Sequence, residues 1–282
     1  MGGGEGLLSG QLTACIEWLF AEGGRSIPDR VRAAAAAGFS QIEFWGAGDK
    51  NVGELEEAIN ETGVSVTAFV SEPPARLVDP TTHADFLLGV ERSSRLASRL
   101  HARNLIVLSG DALPGVERKR QRESVTRALA SAAPIASQAG VNLLLEPLNT
   151  RVDHPGYFLD STSEGFEAIR EVNHPAVRLL YDMYHSVVMG EDPARVLSGS
   201  GALVGHVHVA DVPGRREPGT GTIDWLRELS ALRLSDYDGT VGLEYRPTRD
   251  TESSLAFFRG LIAVWNEDRV DAVTGTDGWL RS

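Results

Sequence analysis

Apolar residues along this chain fall in short, nearly unbroken runs, separated by longer stretches with helical spacing. Eight runs read as β-strands: residues 12–20, 41–45, 64–70, 104–109, 141–148, 177–185, 204–210 and 240–245. LIVL in the fourth and LLL in the fifth are apolar at every position, as in parallel strands covered on both faces. Helical patterns fill the gaps. One opens at Ser26-Ile-Pro-Asp29, with Ser as N-cap and Pro at its start, and stops at Gly38. Residues 51–62, closed by Gly63, then 83–101 and 116–139, closed by Gly140, follow. Ser161-Thr-Ser-Glu164 reads as a capping box opening a helix to about residue 172. A short helix at 192–197 and longer ones at 223–234 and 252–270 complete the set. Pro134 is expected to kink or divide the fourth helix.

Eight β/α alternations predict an α/β protein, a single-domain (β/α)8 TIM barrel over residues 1–270 with a polar C-terminal tail at 271–282. The rival is a doubly wound open sheet. No GxGxxG or Walker A sequence follows any strand, so the nucleotide-binding signatures of that fold are missing.

Composition narrows the function classes. With 27 Lys+Arg against 39 Asp+Glu the formal charge is −12, which argues against nucleic-acid and acidic-membrane partners. Cys15 is the sole cysteine, so no intrachain disulfide forms and a buried small hydrophobe is expected. The opening MGGGEGLLSG has neither the basic nor the apolar region of a signal peptide, and no apolar run is long enough to span a membrane. A cytoplasmic location is the expectation.

In a TIM barrel, chemistry sits at the C-terminal ends of the strands. Glu146, Asp182, His208 and Glu244 fall there on four consecutive strands, each beside an apolar run. Unpaired buried carboxylates are costly. Three carboxylates and one imidazole converging would hold a divalent cation, with Mg²⁺ or Mn²⁺ favoured and Co²⁺ or Zn²⁺ possible. His185, three residues after Asp182, can face the same mouth. His206 shares a strand face with His208 but lies deeper, and is expected as a satisfied core histidine. The loop Asp211-Val-Pro-Gly-Arg-Arg-Glu-Pro-Gly-Thr-Gly carries Arg215 and Arg216, whose planar forks suit a carboxylate or phosphate. The loop from Asn149 to Phe158 has an aromatic pair readable as a lid or as helix-packing core. Glu17, Trp18, Glu43, Trp45 and Phe69 lie near strand ends in the first half. The aromatics there read as a wall against a sugar-like substrate or as barrel core.

Taken together, LLLEPLNTRVDHPGYFL, LLYDMYH, GHVHVADVPGRREPGTG and VGLEYRP resemble the hydroxypyruvate isomerases and 2-oxo-tetronate isomerases. These belong to the xylose isomerase-like TIM barrels, with the tagatose/psicose epimerases and endonuclease IV. The specific match covers about residues 141–247, and DVPGR-EPGTG is its most diagnostic piece. The resemblance implies a metal on Glu146, Asp182, His208 and Glu244, and an acid/base pair of Glu146 and Glu244. It also implies substrate contacts from His185 and Arg215, to which Trp45 is added from its place at the barrel mouth. Hydroxypyruvate isomerases often carry Gln where His208 stands, whereas ketose epimerases carry His. The implied reaction is a metal-dependent aldose–ketose isomerisation of a small hydroxy-keto acid or sugar through a cis-enediolate. The alternatives are a ketose 3-epimerase, a keto-sugar or keto-inositol dehydratase, or a non-catalytic metal-stabilised barrel. The expected partner is a small keto acid or sugar, and a homo-oligomer is left open.

Overall fold

The computed structural model describes residues 11–274, with side chains described through Ile262. The N-terminal decapeptide and the expected tail beyond Thr274 lie outside the described residues. Nine strand segments run β1 Leu12–Cys15, β2 Gln41–Glu43, β3 Ser65–Val66, β4 Ala68–Val70, β5 Asn104–Leu108, β6 Asn142–Glu146, β7 Val177–Asp182, β8 Val204–Val209 and β9 Val241–Leu243. Between them lie α1 Ile27–Ala36, α2 Val52–Thr62, α3 His83–Arg99, α4 Arg118–Gln138, α5 Thr162–Val172, α6 Met183–Met189, α7 Pro193–Leu197 and α8 Trp225–Leu234. The helix α9, Thr251–Thr274, follows β9.

All pairings are parallel, in the order β3-β2-β1-β9-β8-β7-β6-β5-β4. The two ends of that order are pieces of one strand, broken at Thr67. The Thr67 N–H donates to the Ile42 carbonyl (2.8 Å), and the Val70 N–H to that of Trp45 (2.6 Å). Eight strands therefore close into the barrel.

Side-chain alternation sorts each strand into two faces. Leu105, Val107, Leu143, Leu145, Leu179, Tyr181, Val207, Val209 and Leu243 join the main core beneath the helices. Facing the lumen, Ala68, Ile106, Leu144 and Leu180 form a separate small apolar cluster on β4–β7. The other half of the lumen, on β8, β9, β1 and β2, carries His206, His208, Gly242, Thr13 and Glu43. One side of the barrel interior is thus hydrocarbon and the other is polar.

Three expectations are corrected in detail. The first strand stops at Cys15, and residues 16–20 form a turn. The sixth apolar run, 177–185, continues as α6, because Asp182 Oδ1 accepts the His185 N–H (3.0 Å) and caps that helix. Pro134 does not divide α4: its neighbours Ala132, Ala133 and Ala136 are buried and pin the helix through the missing hydrogen bond. Cys15 is buried, as expected. Among the described residues no helix is long and apolar enough to cross a membrane.

Behind β7, the Tyr181 hydroxyl donates to the buried Glu228 carboxylate (3.3 Å). Burial pushes this carboxyl from its ordinary value near 4.5 up to about 7. Between those values the unfolded chain loses its proton first, so Glu228 lowers stability as pH rises through that window. Glu228→Gln is expected to raise stability at pH 8, by at most about 3 kcal/mol. The gain should shrink towards zero near pH 4. Thermal melts of both proteins at the two pH values check this, and a gain equal at both would contradict it.

Candidate metal centre and active site

Strand parity brings four side chains to the lumen mouth: Glu146 ends β6, Asp182 ends β7, His208 sits one residue before the end of β8, and Glu244 follows β9. Asp182 stands opposite His208, and His208 opposite Gly242, in the strand register. All four ligands are buried, and one donor atom from each lies within 4.8 Å of the others. His208 Nδ1 is 3.2 Å from Glu244 Oε2, 3.6 Å from Glu146 Oε1 and 4.0 Å from Asp182 Oδ2. Donors about 2.1 Å from an octahedral ion stand roughly 3.0 Å apart when adjacent and 4.2 Å when opposite. The observed spacings fall in that span. His208 Nδ1 is also buried without a hydrogen-bond partner, at a cost an ion would remove. The residues therefore fit a hard divalent cation.

Asp182 divides its oxygens, one capping α6 and the other facing the cluster. The Glu244 carboxylate accepts from Trp45 Nε1 (2.6 Å) and from the Arg215 guanidinium. Burial opposes its charge, but Arg215 and His208 outweigh burial and hold the Glu244 carboxyl well below its ordinary value. Burial does raise Asp182, with Arg215 and His208 only partly offsetting it. Glu146 faces His208 beyond hydrogen-bonding distance.

His185 is buried beside this cluster, with Nε2 3.5 Å from Asp182 Oδ2. Its Nδ1 accepts the backbone N–H of Asn149 (3.1 Å). That donor fixes the tautomer: the ring proton must sit on Nε2. Burial, then the charge of Arg215, pushes the imidazole down to about 3, so it is neutral at physiological pH. Nε2 has no protein partner. A neutral N–H donor is therefore aimed into the mouth. Asn149 is itself held through Asp153, which also accepts from the Tyr184 hydroxyl (2.8 Å). Tyr157 and Phe158 of the same loop are buried core rather than a lid.

Arg215 reaches the site from the loop after β8. That loop is built on Asp211, which the sequence did not single out. Its carboxylate accepts the N–H groups of Val212, Gly219 and Ile223 and the indole N–H of Trp225, at 2.8–3.1 Å. A Cβ at Gly221 would lie 2.1 Å from the Val212 carbonyl oxygen, so only glycine permits the fold-back. Arg215 itself takes a left-handed backbone conformation (φ 56°). Its Nη2 lies 3.2 Å from Asp182 Oδ2, its Nε is buried without a partner, and its plane rests 5.3 Å from the Trp18 and Tyr184 rings. Asp211→Ala is expected to cost about 3–5 kcal/mol, since it orphans several donors at about 1–3 kcal/mol each. It should also raise KM, because Arg215 loses its support. Urea denaturation and steady-state kinetics check both.

Among the first-half candidates, Trp18 and Trp45 meet edge to face (5.0 Å) and line the cavity, whereas Phe69 stacks on Phe44 beneath the helices. Glu17 pairs with Lys50 (2.7 Å). Glu43 faces the lumen below the cluster and bonds His206, which Thr240 holds from the other side. Arg216 lies exposed at the cavity rim. The cavity over the cluster measures about 800 Å³, with Val70, Ile106 and Leu108 on one wall and Trp18, Arg215 and Arg246 on the other.

The chain matches the xylose isomerase-like TIM barrel family over residues 31–261. It is 31% identical to the 2-oxo-tetronate isomerase of Cupriavidus necator, over 82% of this chain and 91% of that one. It is 28% identical to the hydroxypyruvate isomerase of Escherichia coli, over 80% and 90%. A crystal structure described as a family 2 AP endonuclease from Brucella melitensis superposes with a TM-score of 0.81 at 29% identity, covering 89% of this chain and 98% of that one. Strand order, the lumen-mouth cluster and these matches agree: the chain belongs to the xylose isomerase-like TIM barrels and, among them, to the isomerase family of the hydroxypyruvate and 2-oxo-tetronate isomerases.

Proposed function

We propose that this protein is a divalent-metal-dependent isomerase that interconverts the aldehyde and ketone forms of a small hydroxy-keto acid, of the hydroxypyruvate and tartronate semialdehyde type. The observation that carries this reading is the meeting of two cluster glutamates with a neutral imidazole, His185, whose Nε2–H lacks a hydrogen-bond partner and lies 3.5 Å from Asp182 Oδ2 of the same cluster. Glu146, Asp182, His208 and Glu244 would hold the ion. Bound there, Mg²⁺ or Mn²⁺ supplies Lewis acidity, polarising the substrate carbonyl and acidifying the neighbouring C–H.

The chain's own groups do the rest. Glu146 takes the proton from the hydroxyl-bearing carbon, because its carboxylate is not committed to strong donors. Glu146 then returns that proton to the neighbouring carbon, while the hydroxyl proton passes to the former carbonyl oxygen. Glu244, kept ionised by Trp45 and Arg215, has no proton to give and would serve as ligand and as the acceptor that orients Arg215. His185 Nε2–H donates to the oxygen that gains charge in the enediolate, and stays neutral so that it donates without surrendering a full proton. Arg215 offers its unpartnered Nε and remaining donors to the substrate carboxylate. Trp18 and Trp45 wall the cavity and keep water from the carbanion-like carbon.

A second reading, C3 epimerisation of a ketose, is favoured by His208, which the resemblance ties to ketose epimerases, and by a cavity larger than a three-carbon acid needs. Incubation with Mn²⁺ in D₂O, followed by proton NMR, separates the two. The isomerase reading expects deuterium entry and aldehyde formation from hydroxypyruvate. Exchange at C3 of a six-carbon ketose, with hydroxypyruvate inert, would replace it. No exchange on three-, four- or six-carbon substrates would leave a non-catalytic barrel.

A further inference from the structure

Below the four-ligand cluster lies a second group of buried titratable side chains, Glu43 on β2 and His206 and His208 on β8, in the polar half-lumen. His208 belongs to both groups. Its Nδ1 faces Glu146, Asp182 and Glu244, while its Nε2 faces Glu43 Oε2 at 3.5 Å. The same Glu43 oxygen is 2.7 Å from His206 Nε2, and His206 Nδ1 is 2.7 Å from Thr240 Oγ1. Thr240 can donate to Nδ1, which leaves His206 with its proton on Nε2, donating to Glu43.

Resting on the reading of the upper cluster as a metal centre, we propose that Glu43 is the positioning residue for His208. It holds the ring with Nε2–H towards itself and Nδ1 towards the ion, while His206 and Thr240 hold Glu43. Three observations converge on this role. A histidine that ligates through one nitrogen carries its proton on the other, and that proton needs an acceptor. Nε2 is buried without a hydrogen-bond partner, and Glu43 Oε2, 3.5 Å away, is the carboxylate placed to take its proton's bond. A carboxylate with 3% of its side chain exposed is expensive, and in the described residues its ion-pair partners are these two imidazoles. Finally, Gly242 clears its space: a Cβ there would meet Glu43 Oε1 at 2.3 Å and His206 Nε2 at 2.8 Å.

A second ion between Glu43, His206 and His208 is the competing account of the same cluster. Donors about 2.0–2.1 Å from one ion stand roughly 3.0 Å or more apart. The 2.7 Å between His206 Nε2 and Glu43 Oε2 is a hydrogen bond instead.

The test is calorimetric titration of chelator-stripped wild-type and Glu43→Gln proteins with Mn²⁺ and Co²⁺, with circular dichroism to verify folding and the visible spectrum of the Co²⁺ forms recorded. The amide puts an N–H₂ and a single acceptor before two ring donors. The expected result is a 10–100-fold weaker Kd and a changed cobalt spectrum in a folded protein. Wild-type affinity and an unchanged spectrum in Glu43→Gln overturn the proposal and leave the metal centre standing. No uptake by wild type overturns the metal reading and the proposal with it. Should Glu43→Gln not fold, ring ¹⁵N spectra of the zinc-loaded wild type decide. A protonated Nε2 on His208 supports the assignment, and a protonated Nδ1 overturns it.

Discussion

Replacing Glu146 by Gln is expected to cut kcat/KM by about 10²–10⁴-fold while leaving the barrel folded, the usual worth of a positioned acid or base. The substitution keeps the shape and one ligand oxygen, so the metal should still bind, more weakly. What disappears is the ability to accept a proton. The loss should fall mainly on kcat, since Glu146 does not touch the carboxylate end that Arg215 is proposed to hold. Deuterium exchange into substrate should fall in parallel with turnover, because both need the same proton abstraction. A folded, metal-loaded Glu146→Gln enzyme with full turnover would sink the assignment. Glu244→Gln should differ in kind. It also removes the acceptor for Trp45 and Arg215, so KM should rise together with the fall in kcat.

Stripping the protein with a chelator is expected to reduce turnover to background, and Mn²⁺ or Mg²⁺ should restore it. The physical reason is charge. Glu146, Asp182 and Glu244 sit together in a buried mouth, and His208 and Arg215 are the cations that face them. Burial raises Asp182, so the charge on this carboxylate is in excess of what its dry surroundings solvate. A divalent ion relieves that excess, so its return should also raise the melting temperature by mass action. Restoration should fail in His208→Ala and Asp182→Ala. Activity that survives exhaustive chelation, with no bound metal by elemental analysis, would contradict a metal-dependent reaction.

Much of this was legible in the chain. Parity alone set Glu146, Asp182 and His208 on the lumen face, because each lies two residues beyond another lumen-facing side chain on its strand. The capping signals at Ser26 and Ser161 hold their helices by side-chain bonds to the backbone. Periodicity names a face but not a partner. Trp45 meets Glu244 across 199 residues and Glu43 meets His206 across 163, and closure of the barrel alone makes those pairs. Asp211 escaped notice for a related reason. Its four partners come from a loop with no repeat, and the arginines beside it drew attention instead. The overlong sixth run, 177–185, shows the other limit, since Asp182 is both the last strand residue and a helix cap.

The division of the lumen into a hydrocarbon half and a polar half has a kinetic consequence. Field lines from the buried carboxylates spread poorly through the Ala68–Ile106–Leu144–Leu180 side, where little can polarise, and leave instead through the open mouth. The barrel then acts as an electrostatic lens, drawing small cations in from solution and turning anions away. On the proposed function, the expected order of arrival for an anionic keto acid is the metal ion first, weakening the negative field of the cluster, and the substrate second. Association should therefore slow for the ion and quicken for the acid as salt is added to the empty enzyme.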